Sequence, residues 1–282
     1  IKNNIDYGIR FGVGEVYRNL IYQNGKGIIG EFLNGDTIRN NLIVNNSNVA
    51  CSSSGLIQKN QIIDNYCDSN VMYITDYGSQ PFPPLMHNTT VRNKIASLSN
   101  SAAVSYNPTS TAQVPSFNYN NIYNNSNLNG ADLEIRCNNQ LNINAQNCYW
   151  GTTDEQVIQD VIYDFLDDPS LALINYSPYL NTPDIIAPVT PPHNVSKVAL
   201  ANGDIKLCWD SNLETDLAGY KVYFGDPTGY SFSTSIDMGN VNTYTLSGVS
   251  INDSIAITAY DDQADDFEDQ FDGNESWFTY AE

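Results

Sequence analysis

The stretch Ile38-Arg-Asn-Asn41-Leu-Ile43-Val-Asn-Asn46 is followed by Ile57-Gln-Lys-Asn60-Gln-Ile62-Ile-Asp-Asn65, and returns as Phe117-Asn-Tyr-Asn120-Asn-Ile122-Tyr-Asn-Asn125. An apolar residue, two variable positions, Asn, one position and a second apolar residue recur, closed by another Asn. Looser copies are Val16…Asn19…Ile21…Asn24 and Thr90…Asn93…Ile95. Taken from Asn19 through Asn41, Asn60 and Asn93 to Asn120, the steps are 22, 19, 33 and 27 residues. Steps of about 20 residues suit one coil of a β-solenoid, three short strands with their corners. The two longer steps read as coils carrying inserted loops. No 3.6-residue period runs through the region, while β-rich pieces such as Val71-Met-Tyr-Ile-Thr75 alternate with Asn, Gly and Ser corners.

Such a stack accounts for the asparagine. At a corner the chain must turn, and Asn tolerates the left-handed backbone conformation better than most residues. Repeated at the same place in successive coils, Asn amides can also hydrogen-bond one another along a ladder. Asn41, Asn60 and Asn120 are therefore read as structural ladder residues, and the Ile, Leu and Val positions as the interior.

With these repeats on the page, the chain resembles the right-handed parallel β-helix proteins, the pectate-lyase-like superfamily that includes many secreted bacterial surface proteins. Asn147-Cys-Tyr-Trp150-Gly151 resembles the Asn-x-x-Trp-Gly close found near the end of bacterial members. Val157, Val161, Ile162, Phe165 and Leu166 have the spacing of one helical face. Ile174-Asn-Tyr-Ser-Pro178-Tyr-Leu180 reads as a last strand. Residues 1–182 are accordingly expected to form the helix of strands, with 151–182 as a cap over its otherwise adhesive edge.

Residues 183–192, with Pro183, Pro188, Pro191 and Pro192, read as a semi-rigid linker. Beyond it strands alternate with turns at the spacing of a β-sandwich. Ile205, Leu207 and Trp209 fall on one face and Cys208 on the other. Trp209 and the run Asp216 to Tyr220 resemble a fibronectin type III domain over 193–282. Two departures stand out. Ile255 occupies the place of that family's usual corner tyrosine, and the turn before Gly273 is enlarged. The expected class is all-β: a right-handed parallel β-helix with a C-terminal fibronectin type III-like sandwich.

Charge divides the chain. Residues 1–150 hold nine acids against nine Lys and Arg, whereas 151–282 hold 23 acids against three lysines, which is the whole net charge of −20. A nucleic-acid backbone or an anionic membrane would be repelled, and cations favoured. Eight of the fifteen residues from Asp261 to Glu275 are acidic. Asp261, Asp262, Asp265, Asp266 and Asp269 are thus candidate Ca²⁺ ligands, although their spacing is not that of an EF-hand, and a solvated acidic loop is the alternative. No stretch approaches the roughly 20 apolar residues of a membrane span, so no membrane insertion is expected. No signal peptide is visible, since the chain opens inside a repeat, which reads as a processed piece of a longer chain. Of the five cysteines, Cys51–Cys67 and Cys137–Cys148 fit either disulfides or buried reduced thiols.

β-Helix enzymes that act on polysaccharides use clustered carboxylates with Arg or Lys. The local candidates here are Asp64, Asp68 and Asp76, with Tyr73, Tyr77 and Phe82 able to stack on sugar rings. Asp64 also stands where Asn45 stands in the repeat, as a corner residue would. His87 and His193 are the only histidines, which leaves little for imidazole chemistry or His-rich metal sites. The expectation is a secreted or cell-surface, non-catalytic scaffold or adhesin. Its partners would be a polysaccharide or a surface protein, or further copies of itself. A polysaccharide lyase or glycoside hydrolase with a carboxylate groove is the alternative.

Overall fold

The structure is a computed structural model and describes residues 1–282 except 31–35, 54, 76–83, 98–100, 108–115, 131–132, 139 and 226–227. It is nearly all β and divides into two compact units, Ile1–Pro188 and Val189–Glu282.

In the first unit the chain passes in turn through three parallel sheets, a β-helix-like arrangement. A seven-stranded sheet runs from Tyr7–Phe11 through Lys26–Gly30, Cys51–Ser53, Met72–Thr75, Val104–Asn107 and Ile135–Cys137 to Ile162–Tyr163. A five-stranded sheet stacks Glu15–Tyr17, Thr37–Arg39, Leu56–Gln58, Leu85–Met86 and Phe117–Asn118. A second five-stranded sheet stacks Leu20–Tyr22, Leu42–Val44, Gln61–Ile63, Thr89–Val91 and Asn121–Tyr123. Register puts like residues over like. Val16, Ile38, Ile57, Leu85 and Phe117 form one inward column. Ile21, Ile43, Ile62, Thr90 and Ile122 form another. Ile28, Cys51, Met72, Val104, Ile135 and Ile162 form the third. None of these side chains is more than 6% exposed, and hydrophobic burial along the stack drives the coiling.

Each coil turns two corners built alike. A residue in the left-handed conformation comes first: Arg18, Asn40, Lys59, His87, Tyr119 and Asn147 at one corner, Asn3, Gln23, Asn45, Asp64, Arg92 and Asn124 at the other, all with φ between 52° and 59°. The next residue is the ladder position. The Oδ1 of Asn60 accepts from both the backbone N–H and the Nδ2 of Asn41 in the preceding coil, each at 3.0 Å. The Nδ2 of Asn41 also reaches the carbonyls of Val16 and Arg39, both at 2.9 Å. One such ladder runs Asn19, Asn41, Asn60, Asn88, Asn120. A second runs Asn4, Asn24, Asn46, Asn65, Asn93, Asn125.

Two expectations need correction. The ladder asparagines themselves do not have positive φ; the residue before each one does. Asn93 also does not stack with Asn60. Asn88 does, and Asn93 belongs to the second ladder above Asn65, so the steps after Asn60 are 28 and 32 residues. The motif contains two asparagines five residues apart, so a copy can be matched one corner out of phase. With Thr90 standing where the other coils have isoleucine, the apolar signature did not resolve it.

The cap is also shorter in helix than the spacing implies. Asp154 accepts from the N–H groups of Gln156 and Val157 and starts a helix that runs only Glu155–Asp160. Ile158 is its inward residue. Ile162–Tyr163 instead pairs with Ile135–Arg136 as the last strand of the long sheet, leaving Val157, Phe165 and Leu166 exposed. Trp150 packs on Phe117 with ring centroids 6.5 Å apart. Gly151 follows at φ 80°, and a Cβ there would lie 2.7 Å from the Cβ of Tyr123. Residues 184–188 are held against the second five-stranded sheet. The N–H of Asp184 donates to Asn121 Oδ1 at 2.7 Å, and the Thr89 hydroxyl donates to the Pro188 carbonyl. The segment read as a linker therefore begins as part of this unit.

All five cysteines are free, so neither expected pairing forms. Cys51 is a core residue over Ile28, whereas Cys67 lies in a separate small sheet. Cys148 follows the left-handed Asn147 at the sixth position of the first ladder, and its thiol donates to the Phe117 carbonyl at 3.1 Å. Burial pushes the Cys67 and Cys148 thiols up to about 12.

The second unit is antiparallel throughout. A three-stranded sheet holds His193–Ala199, Ile205–Asp210 and Thr243–Leu246. A four-stranded sheet holds Thr234–Gly239, Leu217–Phe224, Ile255–Asp261 and Thr279–Tyr280. Ile205, Leu207 and Trp209 face inward against Tyr220, Val222 and Ile257, and Cys208 points away. Ile255, in the place of the corner tyrosine, is buried in this core. Glu214 is buried too, accepting from the N–H of Thr190 at 2.8 Å and from its hydroxyl.

Two predictions follow from buried polar groups. Asn60→Ala leaves the buried N–H of Asn41 without its acceptor and the carbonyls of Ile38 and Gln58 without the Asn60 Nδ2. At about 1–3 kcal/mol for an unsatisfied buried group, this should lower the urea unfolding free energy by about 3 kcal/mol. Lys59→Gly next door relieves left-handed strain and should change it by less than about 1 kcal/mol. Burial raises the Glu214 carboxyl, against hydrogen bonds from Thr190 and Asn212, and raises Asp261 to about 6, with Asp216 and Asp262 adding repulsion. A raised carboxyl stabilises the fold below its unfolded pKa and loses that contribution as pH rises through the folded value. The melting temperature of the second unit should therefore fall as pH rises from about 4 through and beyond 6. Glu214→Gln with Asp261→Asn should flatten that fall in melts recorded across this range.

Candidate functional site

Each sequence-designated residue of the first unit has a definite structural post. Asp64 occupies a left-handed corner at φ 56°. Arg92, the corner residue one coil later, grips its carboxylate with Nε to Oδ1 at 3.0 Å and Nη2 to Oδ2 at 2.8 Å. Arg92 is 28 residues away, so sequence neighbourhood could not reveal this partner, though equivalent corners one coil apart would have named it. The backbone N–H of Asp68 donates to the Asn48 carbonyl, and its own carbonyl accepts from Ser97. Its side chain lines a cavity of about 250 Å³ with Asp6, Lys26 and Asn48, and Asp64 is not among the lining residues. Tyr73 lies on the long sheet between Ser52 and Ser105, where its hydroxyl accepts from Asn107 Nδ2 at 2.6 Å. Asp76, Tyr77 and Phe82 lie outside the described residues. Asp68 thus lines that cavity without Asp64 or Tyr73.

Other polar residues carry structure that the repeat pattern did not disclose. Glu134 is buried and ends the second ladder: Oε1 accepts from the N–H of Asn125 at 3.0 Å and Oε2 from its Nδ2 at 2.6 Å. It meets the two donors that a following asparagine would otherwise meet. His87 sits at a corner, stacked on Tyr119 at 5.4 Å, with Nδ1 2.7 Å from Asp184 Oδ2. Asp184 also accepts from the N–H of Ala187. Asp36 is buried beside Ser53, whose hydroxyl donates to it at 2.6 Å, and burial raises its carboxyl above the ordinary range.

The acidic loop of the second unit is organised around one lysine. Lys221 Nζ reaches Asp266 at 2.8 Å, Glu275 at 3.0 Å and Asp269 at 3.7 Å. Burial alone would lower Lys221, but Asp266 and Glu275 outweigh it and hold the ammonium above its ordinary pKa. Glu275 also accepts from the Tyr223 hydroxyl at 2.6 Å and the Thr258 hydroxyl at 2.7 Å. The remaining candidate ligands accept hydrogen bonds from within the loop. Asp261 accepts from Gln263 N–H and Asp265 from Phe267 N–H, while Asp269 accepts from Asp265 and Asp266 N–H. Asp262 accepts from Gln263 Nε2. Among the described residues no group of three or more His, Cys, Asp or Glu side chains is placed to hold a metal ion. A cavity of about 540 Å³ opens beside Lys221, walled by Tyr223, Phe271 and Phe278.

Compared with known proteins, the chain matches no family model, no curated protein and no solved structure. Its class is that of an all-β protein of stacked parallel sheets followed by an antiparallel unit.

Lys221→Met leaves Asp269 and Glu275 buried without their cation and should cost about 3 kcal/mol or more. Adding Glu275→Gln should recover part of the loss. A double-mutant cycle in urea checks the coupling, and strictly additive losses would contradict the arrangement.

Proposed function

We propose that the chain is an extracellular or cell-surface scaffold without catalytic activity, presenting binding surfaces to glycans or surface proteins. In this reading the first unit is a right-handed parallel β-helix of the pectate-lyase-like kind. The second is a fibronectin type III-like sandwich that spaces or tethers it. The registered columns, the two ladders and the Trp150-Gly151 close support the first assignment. Support for the second comes from the three- and four-stranded antiparallel sheets meeting over Trp209.

The observation that carries the non-catalytic reading is the Asp64–Arg92 pair. Both oxygens of the Asp64 carboxylate are engaged by the Arg92 guanidinium, which leaves neither turned toward a substrate. Its post at a left-handed corner is shared by residues of unrelated chemistry, among them Gln23, Asn45 and Asn124, so the position answers to backbone geometry. A rigid stack whose residues 1–150 carry no net charge suits a platform that partners grip from outside.

Incubation of the full chain with polygalacturonate, xylan and β-glucan tests this. No reducing ends and no unsaturated products should accumulate. Product release abolished by Asp64→Ala or Asp68→Ala, with melting unchanged, would establish the lyase or hydrolase instead.

A further inference from the structure

The capping region of the first unit carries a cavity of about 490 Å³ that none of the structural roles above uses, within the roughly 300–1,000 Å³ of small-ligand sites. Its base is the two-stranded pairing of Ile143–Asn144 with Ile174–Asn175. Both isoleucines are buried in the core of the coil, so strand alternation turns Asn144 and Asn175 outward, side by side on adjacent strands. Gln146 and Gln159 bring two more amides. The Gln146 amide donates to the Ser177 carbonyl, whereas the side chains of Gln159 and Asn175 engage no partner among the described residues. Leu166, at 64% exposure, and Leu173, at 39%, form an apolar rim with the Tyr176 ring.

The charge lining is as telling as the amides. Asp164 is the only acid in the cavity wall, and its two oxygens are occupied by the N–H groups of Leu166 and Ile174, each at 2.9 Å. Among the described residues no Lys, Arg or His lines it. An amide offers donor and acceptor side by side, which is what neighbouring sugar hydroxyls require. Exposed Leu side chains and a tyrosine ring match the C–H faces of a pyranose. A ligand bearing carboxylate, sulfate or phosphate would find no cation here and would meet Asp160, Asp167 and Asp168 nearby in the chain.

We propose that this cavity binds a neutral saccharide through Asn144, Gln159 and Asn175, with the leucine and tyrosine rim against the sugar face. The proposal rests on the reading of the chain as a glycan-binding scaffold and gives that reading a site and a ligand class.

The test is an array of neutral gluco-, manno-, galacto- and xylo-oligosaccharides beside polygalacturonate and heparin oligosaccharides. It is probed with the full chain and with a Gln159→Ala/Asn175→Ala variant. Neither amide serves the fold, so the variant should melt with the parent, which a thermal scan verifies. At least one neutral series should be retained, weakened on the order of tenfold or more in the variant by the loss of several hydrogen bonds, with no anionic glycan held. Neutral binding that the variant leaves intact would overturn this site while leaving the scaffold reading standing. Retention of anionic glycans alone would overturn the ligand class. No retention at all would overturn the proposal together with the glycan part of the scaffold reading. Release of sugar products would overturn the non-catalytic reading itself.

Discussion

An asparagine carbonyl oxygen that accepts both the backbone and the side-chain N–H of the asparagine one coil earlier is the contact on which the first unit depends. The corner that places it is costly. A non-glycine residue in the left-handed conformation sacrifices about 1–2 kcal/mol, and twelve such residues flank the two ladders. A buried turn must also pair its polar groups. The ladder amide answers both demands: it satisfies the N–H groups of its neighbour, and through its own Nδ2 it closes two carbonyls that the turn would leave open. Shape-matched columns of Ile, Leu, Val and Phe supply the burial. The ladders set where each coil bends, and so keep those columns in register.

The ladders also have ends, and each end is handled differently. Glu134 supplies two carboxylate oxygens where the second ladder runs out of asparagine. Cys148 takes the ladder position after Asn120, donating to the same kind of carbonyl that Asn120 itself engages through Leu85. These substitutions show the site's requirement. What the ladder demands is a partner atom rather than one residue type: a carboxylate serves where donors remain, and a thiol where a carbonyl remains.

The sequence disclosed much of this because the stack repeats its chemistry. Ile38, Ile57 and Phe117, and Asn41, Asn60 and Asn120, were legible as equivalent positions, and in the second unit so was the inward face of Ile205, Leu207 and Trp209. What it hid has physical causes. Asn93 was assigned to the wrong corner because the two corners use the same residue type at a fixed offset of five. The left-handed residue before each ladder position is Arg, Lys, His or Tyr as readily as Asn, so no composition marks it. The cap helix stops at Asp160 because Ile162 gains a strand partner, a long-range pairing that local apolar spacing does not contain. Arg92 against Asp64, Asp184 against His87 and Lys221 among Asp266, Asp269 and Glu275 are contacts across 28 to 97 residues, visible only once the coil and the sandwich are closed.

The outside of the first unit is released from these constraints, and there recognition chemistry has room. The interior fixes one face of every strand and both corners of every coil, leaving outward amides such as Asn175 and Gln159 without a structural task among the described residues. The account therefore stands or falls on the corners. Native-state hydrogen exchange of the backbone N–H groups of Asn41, Asn46, Asn60, Asn65 and Asn88 measures them most directly. Each should exchange only through global unfolding of the unit, in step with the core strands. Exchange of these five at the rate of exposed loop amides would show that the asparagines are not stacked, and the coil derived from them would be wrong.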